Sequence, residues 1–176
     1  MNYNKLTSLV ANVEAIEIAV QIHVQGRTAT TDEKEILSLY SGFGGIKEVL
    51  NIGTDNPVAD NMTESLNRLE TALRTLAGED GTMYRTLIES IKASVLTAFY
   101  TPQFIVDAVA RQIHTTFKDN NLQMRSFLEP SAGIGGFLPV AMPGTHSYAF
   151  EKDCITGLIL SLLHDDTDTV TAGFET

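Results

Sequence analysis

The stretch Ser126-Phe127-Leu128-Glu129-Pro130-Ser131-Ala132-Gly133-Ile134-Gly135-Gly136-Phe137 decides the fold. Its first four residues read as a short strand, and the rest as a tight glycine-rich turn. A second strand is predicted over Ser147-Tyr148-Ala149-Phe150-Glu151. Helical spacing from Ile155 to Leu163 and a third strand over Thr169 to Ala172 follow. Upstream, Thr101 is placed as a helix N-cap with Pro102 at the first helical position. Ile105, Val106, Val109, Ile113 and Phe117 then share one face. Helices alternating with short apolar strands predict a parallel α/β sheet.

The first 98 residues read as helices alone. Leu6, Leu9, Val10, Val13, Ile16 and Val20 recur with a 3.6 period over residues 3–25, stopped by Gly26. Thr30 and Glu33 form a capping-box pattern before Ile36, Leu37 and Tyr40, and Ser41-Gly42-Phe43-Gly44-Gly45 breaks that helix. Residues 51–61 read as an exposed connection. Thr63 is expected to cap a helix carrying Leu66, Leu69, Leu73 and Leu76. Tyr84, Leu87, Ile88, Ile91 and Val95 repeat the stripe, which predicts a helical hairpin.

The chain has 176 residues, 43% of them apolar and 19% charged, which excludes an intrinsically disordered composition. No apolar run approaches a membrane span, and Met1-Asn2-Tyr3-Asn4-Lys5 leads into no apolar signal core, so no membrane and a cytoplasmic location are expected. One cysteine, Cys154, excludes an intrachain disulfide, and His23, His114, His146 and His164 are too scattered to suggest zinc. Twelve basic residues against twenty-two acidic ones, net −10, contain no cluster suited to gripping phosphates. If the whole protein acts on DNA, the gripping surface is expected outside this chain.

Gly133, Gly135 and Gly136 would let backbone turn tightly and approach a ligand. Glu151, eighteen residues after Gly133, ends the second strand where a carboxylate can accept hydrogen bonds from ribose hydroxyls. Such charge-assisted bonds are worth about 1.5–3 kcal/mol each. A dinucleotide fingerprint fits poorly, because Leu138 stands where its third small residue belongs. A Walker A loop is excluded, because Phe137-Leu138 replaces Lys-Ser/Thr. S-adenosylmethionine, with a ribose and an adenine but no phosphate, suits the turn best. A purely structural turn is the competing reading. Ser131 lies in no Gly-x-Ser-x-Gly elbow, and the Asp165-Asp166-Thr167-Asp168 run reads as a solvated turn.

Phe99-Tyr100-Thr101-Pro102, then Leu128 to Phe137, then Phe150-Glu151-Lys152-Asp153 resemble, in order, three cofactor motifs of N6-adenine-specific DNA methyltransferases. The likeness is to the methylase portion of methylase/helicase-type proteins of bacterial mobile elements and phages, where a helical segment with a stretch like Tyr40-Ser41-Gly42-Phe43-Gly44-Gly45 comes first. The resemblance implies a helical region over residues 1–98, followed over residues 99–176 by the first strands of a Rossmann-like class I methyltransferase sheet. It implies that Tyr100, Thr101, Pro102, Glu129, Pro130, Ser131, Ala132, Gly133 and Gly135 line the methionine end of S-adenosylmethionine. Glu151 would hold the ribose and Phe174 would lie near the adenine. Asp153 looks like a helix cap. Lys152 replaces an apolar position that packs on adenine in that family.

The family's Asp/Asn/Ser-Pro-Pro-aromatic loop, which holds the flipped base, has no counterpart. The prolines are at 57, 102, 130, 139 and 143, none adjacent, and Asn56-Pro57-Val58 lacks the second proline and the aromatic. No catalytic residue is therefore assigned. Three predicted strands against the family's seven or so also lead to the expectation of an N-terminal or truncated portion of such an enzyme, inactive alone. The alternatives are a non-catalytic scaffold with a methyltransferase-like half-sheet, and a related methyltransferase acting on RNA or a protein glutamine.

Overall fold

The computed structural model describes residues 4–54, 56 and 59–175; of the positions named above, Met1, Asn2, Tyr3, Pro57 and Val58 lie outside them. The architecture is mixed α/β, with six α-helices and a three-stranded parallel sheet among the described residues. Two compact units divide between Phe99 and Tyr100.

In the first unit α1 (Lys5–Gln25) starts at Asn4, whose side chain accepts the N–H groups of Leu6 and Thr7, and ends where Gly26 turns left-handed at φ 62°. Leu9, Val13, Ile16 and Val20 are buried as their period predicts, and Ala15, Ala19 and Ile22 join them. The buried arc is therefore wide, because α2 and α3 both pack on this helix. The capping box of α2 (Thr31–Leu37) is complete, with Thr30 and Glu33 bonding each other's backbone. Arg27 pairs with Glu33, and that bond, with the Thr30 amide, holds the Glu33 carboxyl down to about 2.

The helix α2 stops at Leu37, three residues before the buried Tyr40. Residues 41–45 are tied down from two sides. Buried Asn12 donates to the Gly42 carbonyl at 2.6 Å and accepts the Ser41 N–H at 2.8 Å. Gly45 N–H bonds the Val95 carbonyl at 3.0 Å. Phe43 is fully buried, edge-on to Tyr40, and a Cβ at Gly44 would overlap the Ala98 carbonyl oxygen. A 3₁₀ turn (Lys47–Asn51) follows.

The hairpin consists of α3 (Asp60–Ala77) and α4 (Gly81–Thr97), with Leu66, Leu69, Leu73, Leu87, Ile91 and Val95 buried. Thr63 is not the cap of α3. The cap position falls four residues earlier, at Ala59, with no side-chain cap, and the Thr63 hydroxyl donates to the Ala59 carbonyl from inside the first turn. Asp80 caps α4 through the amides of Thr82 and Met83.

In the second unit α5 (Gln103–Asp119) corrects a further expectation. Pro102, not Thr101, takes the N-cap position, because its ψ of 138° is extended and the helix starts one residue later. Of the expected apolar face only Val106 is buried; Ile113 and Phe117 are half-buried, and Ile105 and Val109 are exposed.

Strands β1 (Ser126–Glu129), β2 (His146–Phe150) and β3 (Thr167–Val170) lie in the order 1-2-3, all parallel, with Leu128 beside Tyr148 and Ala149 beside Thr169. The third strand starts two residues before the sequence pattern places it. The β1–β2 connection carries only a 3₁₀ turn (Leu138–Val140), whose Val140 carbonyl accepts a bond from His114 Nε2 of α5. Helix α6 (Cys154–Leu163) joins β2 to β3. One sheet face is covered, with Phe127 and Ala149 packed among Ala132, Leu138 and Leu160. On the other, Leu128, Tyr148 and Val170 stay 46, 41 and 42% exposed, whereas parallel sheets are ordinarily covered on both faces. No helix among the described residues is long and apolar enough to cross a membrane.

Candidate functional site

Residues 130–136 leave the C-terminal end of β1, where ligands of open α/β sheets bind. The Ala132 N–H bonds the Phe150 carbonyl at 2.8 Å, fastening the turn to the end of β2. Gly133 and Gly135 then adopt φ of 57° and 89°, a region open mainly to glycine. The Gly135 N–H closes back on the Ala132 carbonyl at 2.8 Å.

Glu151 faces this turn. Its Oε2 accepts the Gly133 N–H and its Oε1 accepts the Asp153 N–H, both at 2.8 Å. Its own N–H bonds Val170. The carboxylate thus bridges the turn, the end of β2 and the start of α6. A carboxylate has about four lone-pair positions, so two remain for further donors. Asp153 caps α6 as its position predicts, accepting from the Thr156 amide and hydroxyl at 2.7 Å. Cys154 is the first residue of α6, half-buried, its thiol pushed up by burial and by the Asp153 charge.

Tyr100 meets the same turn: a Cβ on Gly133 would lie 2.9 Å from its ring. Burial pushes the Tyr100 phenol well above its usual range. A hydrogen bond with Thr156 opposes that shift, and the Glu151 and Asp153 charges add to it. Thr101 and Pro102 stand exposed ahead of α5.

Glu129, at the end of β1, is half-buried, and its side chain has no hydrogen-bond or ion-pair partner among the described residues. Burial alone pushes its carboxyl up to about 6. Within the loop Pro130 and Ser131 are exposed and Ala132 is buried. Phe174 is exposed, its ring edge-on to Phe150 at 5.3 Å, and Lys152 reaches Glu175 at 3.4 Å. The structure therefore gathers Tyr100, Gly133 and Glu151 by direct contact.

His164 carries no signal in the sequence. Its Nε2–H donates to the Ile134 carbonyl at 2.9 Å, and its ring stands where a Cβ on Gly135 would go. Nothing in residue spacing couples positions thirty apart. The pair His146–Asp168, 2.8 Å apart, is solvent-exposed on the open sheet face. No group of three or more His, Cys, Asp or Glu among the described residues could hold a metal ion. A groove of about 320 Å³ between α1 and α3, lined by Val20, Val24, Arg68 and Ala72 among others, belongs to the helical unit and includes none of these residues.

The site thus holds a Glu129 carboxylate without a side-chain partner among the described residues, a Glu151 carboxylate with lone pairs to spare and the exposed Phe174 ring. Comparison with protein-family models, curated proteins and solved structures returned no match.

Proposed function

We propose that the second unit binds S-adenosylmethionine and is the cofactor-holding part of an adenine-N6 DNA methyltransferase with a Rossmann-like sheet. The observation that carries this reading is the Glu151 carboxylate bonded across the glycine turn to Gly133. That bond holds an acid just past the C-terminal end of β2, against the turn that leaves β1, with lone pairs to spare for a sugar. In this reading Glu129, Tyr100, Thr101 and Pro102 take the methionine end, with the backbone of Pro130, Ser131, Ala132, Gly133 and Gly135. Glu151 takes the ribose and Phe174 the adenine. The bound cofactor supplies a methyl group on a sulfonium, and the chain's residues bind and orient it.

No base-holding Pro-Pro-aromatic loop occurs in this sequence, so methyl transfer and DNA contact are assigned to regions outside it. The net charge of −10 supports the same division. A second reading, a non-catalytic scaffold, is favoured by one observation: the exposed apolar face of Leu128, Tyr148 and Val170 suits a protein partner.

Calorimetric titration of the full chain with S-adenosylmethionine separates the two. Saturable binding that falls in Glu151→Ala by about 1.5–3 kcal/mol supports the cofactor reading. No heat, together with unmoved amide resonances of Gly133 and Gly135 at about 1 mM ligand, would leave the scaffold.

A further inference from the structure

We infer that His164 is a positioning residue for the glycine turn: held at the end of α6, its imidazole fixes the Ile134 carbonyl and with it the backbone path through Gly133 and Gly135. The inference rests on the proposed function for the identity of the ligand, and on the geometry alone for the latch.

His164 is itself fixed from both directions. Its N–H bonds the Leu160 carbonyl at 3.2 Å, and its carbonyl accepts the Thr167 N–H at 3.3 Å, so its backbone is fastened to the last turn of α6 and to the first residue of β3. The side chain then crosses thirty residues of sequence to Ile134, at 2.9 Å. A carbonyl only accepts, so the imidazole presents Nε2–H. The fit around that bond is tight: at Gly135, φ 89°, a Cβ would overlap the ring and lie 2.7 Å from Leu138 Cδ1. Glu151 holds the turn at Gly133 from one side and His164 holds it at Ile134 from the other. A turn fixed at two adjacent residues loses little freedom when a ligand settles on its backbone, which is how preorganisation raises affinity.

Three variants of the full chain test this. The amide nitrogen of glutamine reaches as far as Nε2, that of asparagine only as far as Nδ1, and leucine supplies bulk without a donor. Each is followed by the amide resonances of Gly133 and Gly135, by thermal melting, and by titration with S-adenosylmethionine. The expected result is that His164→Leu and His164→Asn shift both glycine resonances and weaken binding about tenfold. His164→Gln should stay within about threefold of the wild type, with affinity not following melting temperature across the set. Wild-type affinity and unmoved glycine resonances in His164→Leu would overturn the inference, as would a His164→Gln variant as impaired as His164→Leu. If the wild type takes up no S-adenosylmethionine, the cofactor reading falls, and the glycine resonances alone decide the latch.

Discussion

Two glycine-rich loops, residues 41–45 and residues 130–136, look alike as strings and differ as chemistry. In the first, every donor and acceptor quoted above turns inward: Asn12 takes Ser41 and Gly42, Val95 takes Gly45, and Phe43 is sealed in the core. In the second, the turn is closed by a carboxylate that keeps spare lone pairs, next to an acid, Glu129, whose side chain has no partner among the described residues. Glycine permits close packing in both loops, against the Ala98 carbonyl in the first and against Tyr100 and His164 in the second; the difference lies in the flanking acids, which keep polar capacity in the second. Richness in glycine does not identify a site; the partners of the flanking polar groups do.

The largest expected effect is in the first loop. In Gly44→Ala the new methyl meets the backbone carbonyl of Ala98, which no side-chain rotation can move. A loss of about 3 kcal/mol or more is expected in urea unfolding followed by far-UV circular dichroism. A loss below about 1 kcal/mol would show that the loop relaxes and that the contrast is overdrawn.

Asn12→Leu comes next. It leaves the Ser41 N–H and the Gly42 carbonyl without the side chain that bonds them, at about 2–3 kcal/mol by the same measurement. A near-neutral outcome would mean that water replaces the asparagine.

Glu151→Ala sharpens the other side of the comparison. The acid bonds two backbone amides, so this substitution should cost stability of about 1–2 kcal/mol as well as affinity, and not affinity alone. Differential scanning calorimetry with and without S-adenosylmethionine separates the two losses. Unchanged melting would show that the carboxylate is not needed to close the turn.

The smallest effect carries the opposite sign. With its carboxyl at about 6 in the folded chain, against an ordinary 4.5, Glu129 holds its proton more tightly folded than unfolded. The Glu129 contribution to stability should therefore fall as pH rises from about 4.5 through 6, and its penalty should vanish below 4.5. Glu129→Gln mimics the protonated form. It should melt slightly higher than wild type at pH 8, by at most about 1 kcal/mol after solvent screening, and equally at pH 4. Its S-adenosylmethionine affinity should drop, since an amide attracts an ammonium less. A lower melting temperature at pH 8 would reveal a partner for Glu129 that stabilises its charge.

What was legible in the sequence is what is local. The αL stop at Gly26 and the Thr30–Glu33 box depend on residues within one turn of each other, and both are present. The cap of α5 falls one residue beyond its expected place because proline fits both the first helical position and the cap, and ψ, which proline does not fix, decides between them. The α5 stripe is legible as an apolar face but its burial is not, since a period shows what a helix can bury and not whether a surface awaits it. The long-range ties, Asn12 to Gly42 and His164 to Ile134, leave no periodic trace, and only the fold brings them together.

Cys154, the single thiol in the chain, stands at the base of this arrangement, one residue past the cap whose amide Glu151 holds. Alkylation there needs a thiolate, which burial and Asp153 suppress, so an electrophilic probe should label it slowly until the first turn of α6 frays. Labelling kinetics would then act as a built-in stopwatch, counting how often the start of α6 comes undone.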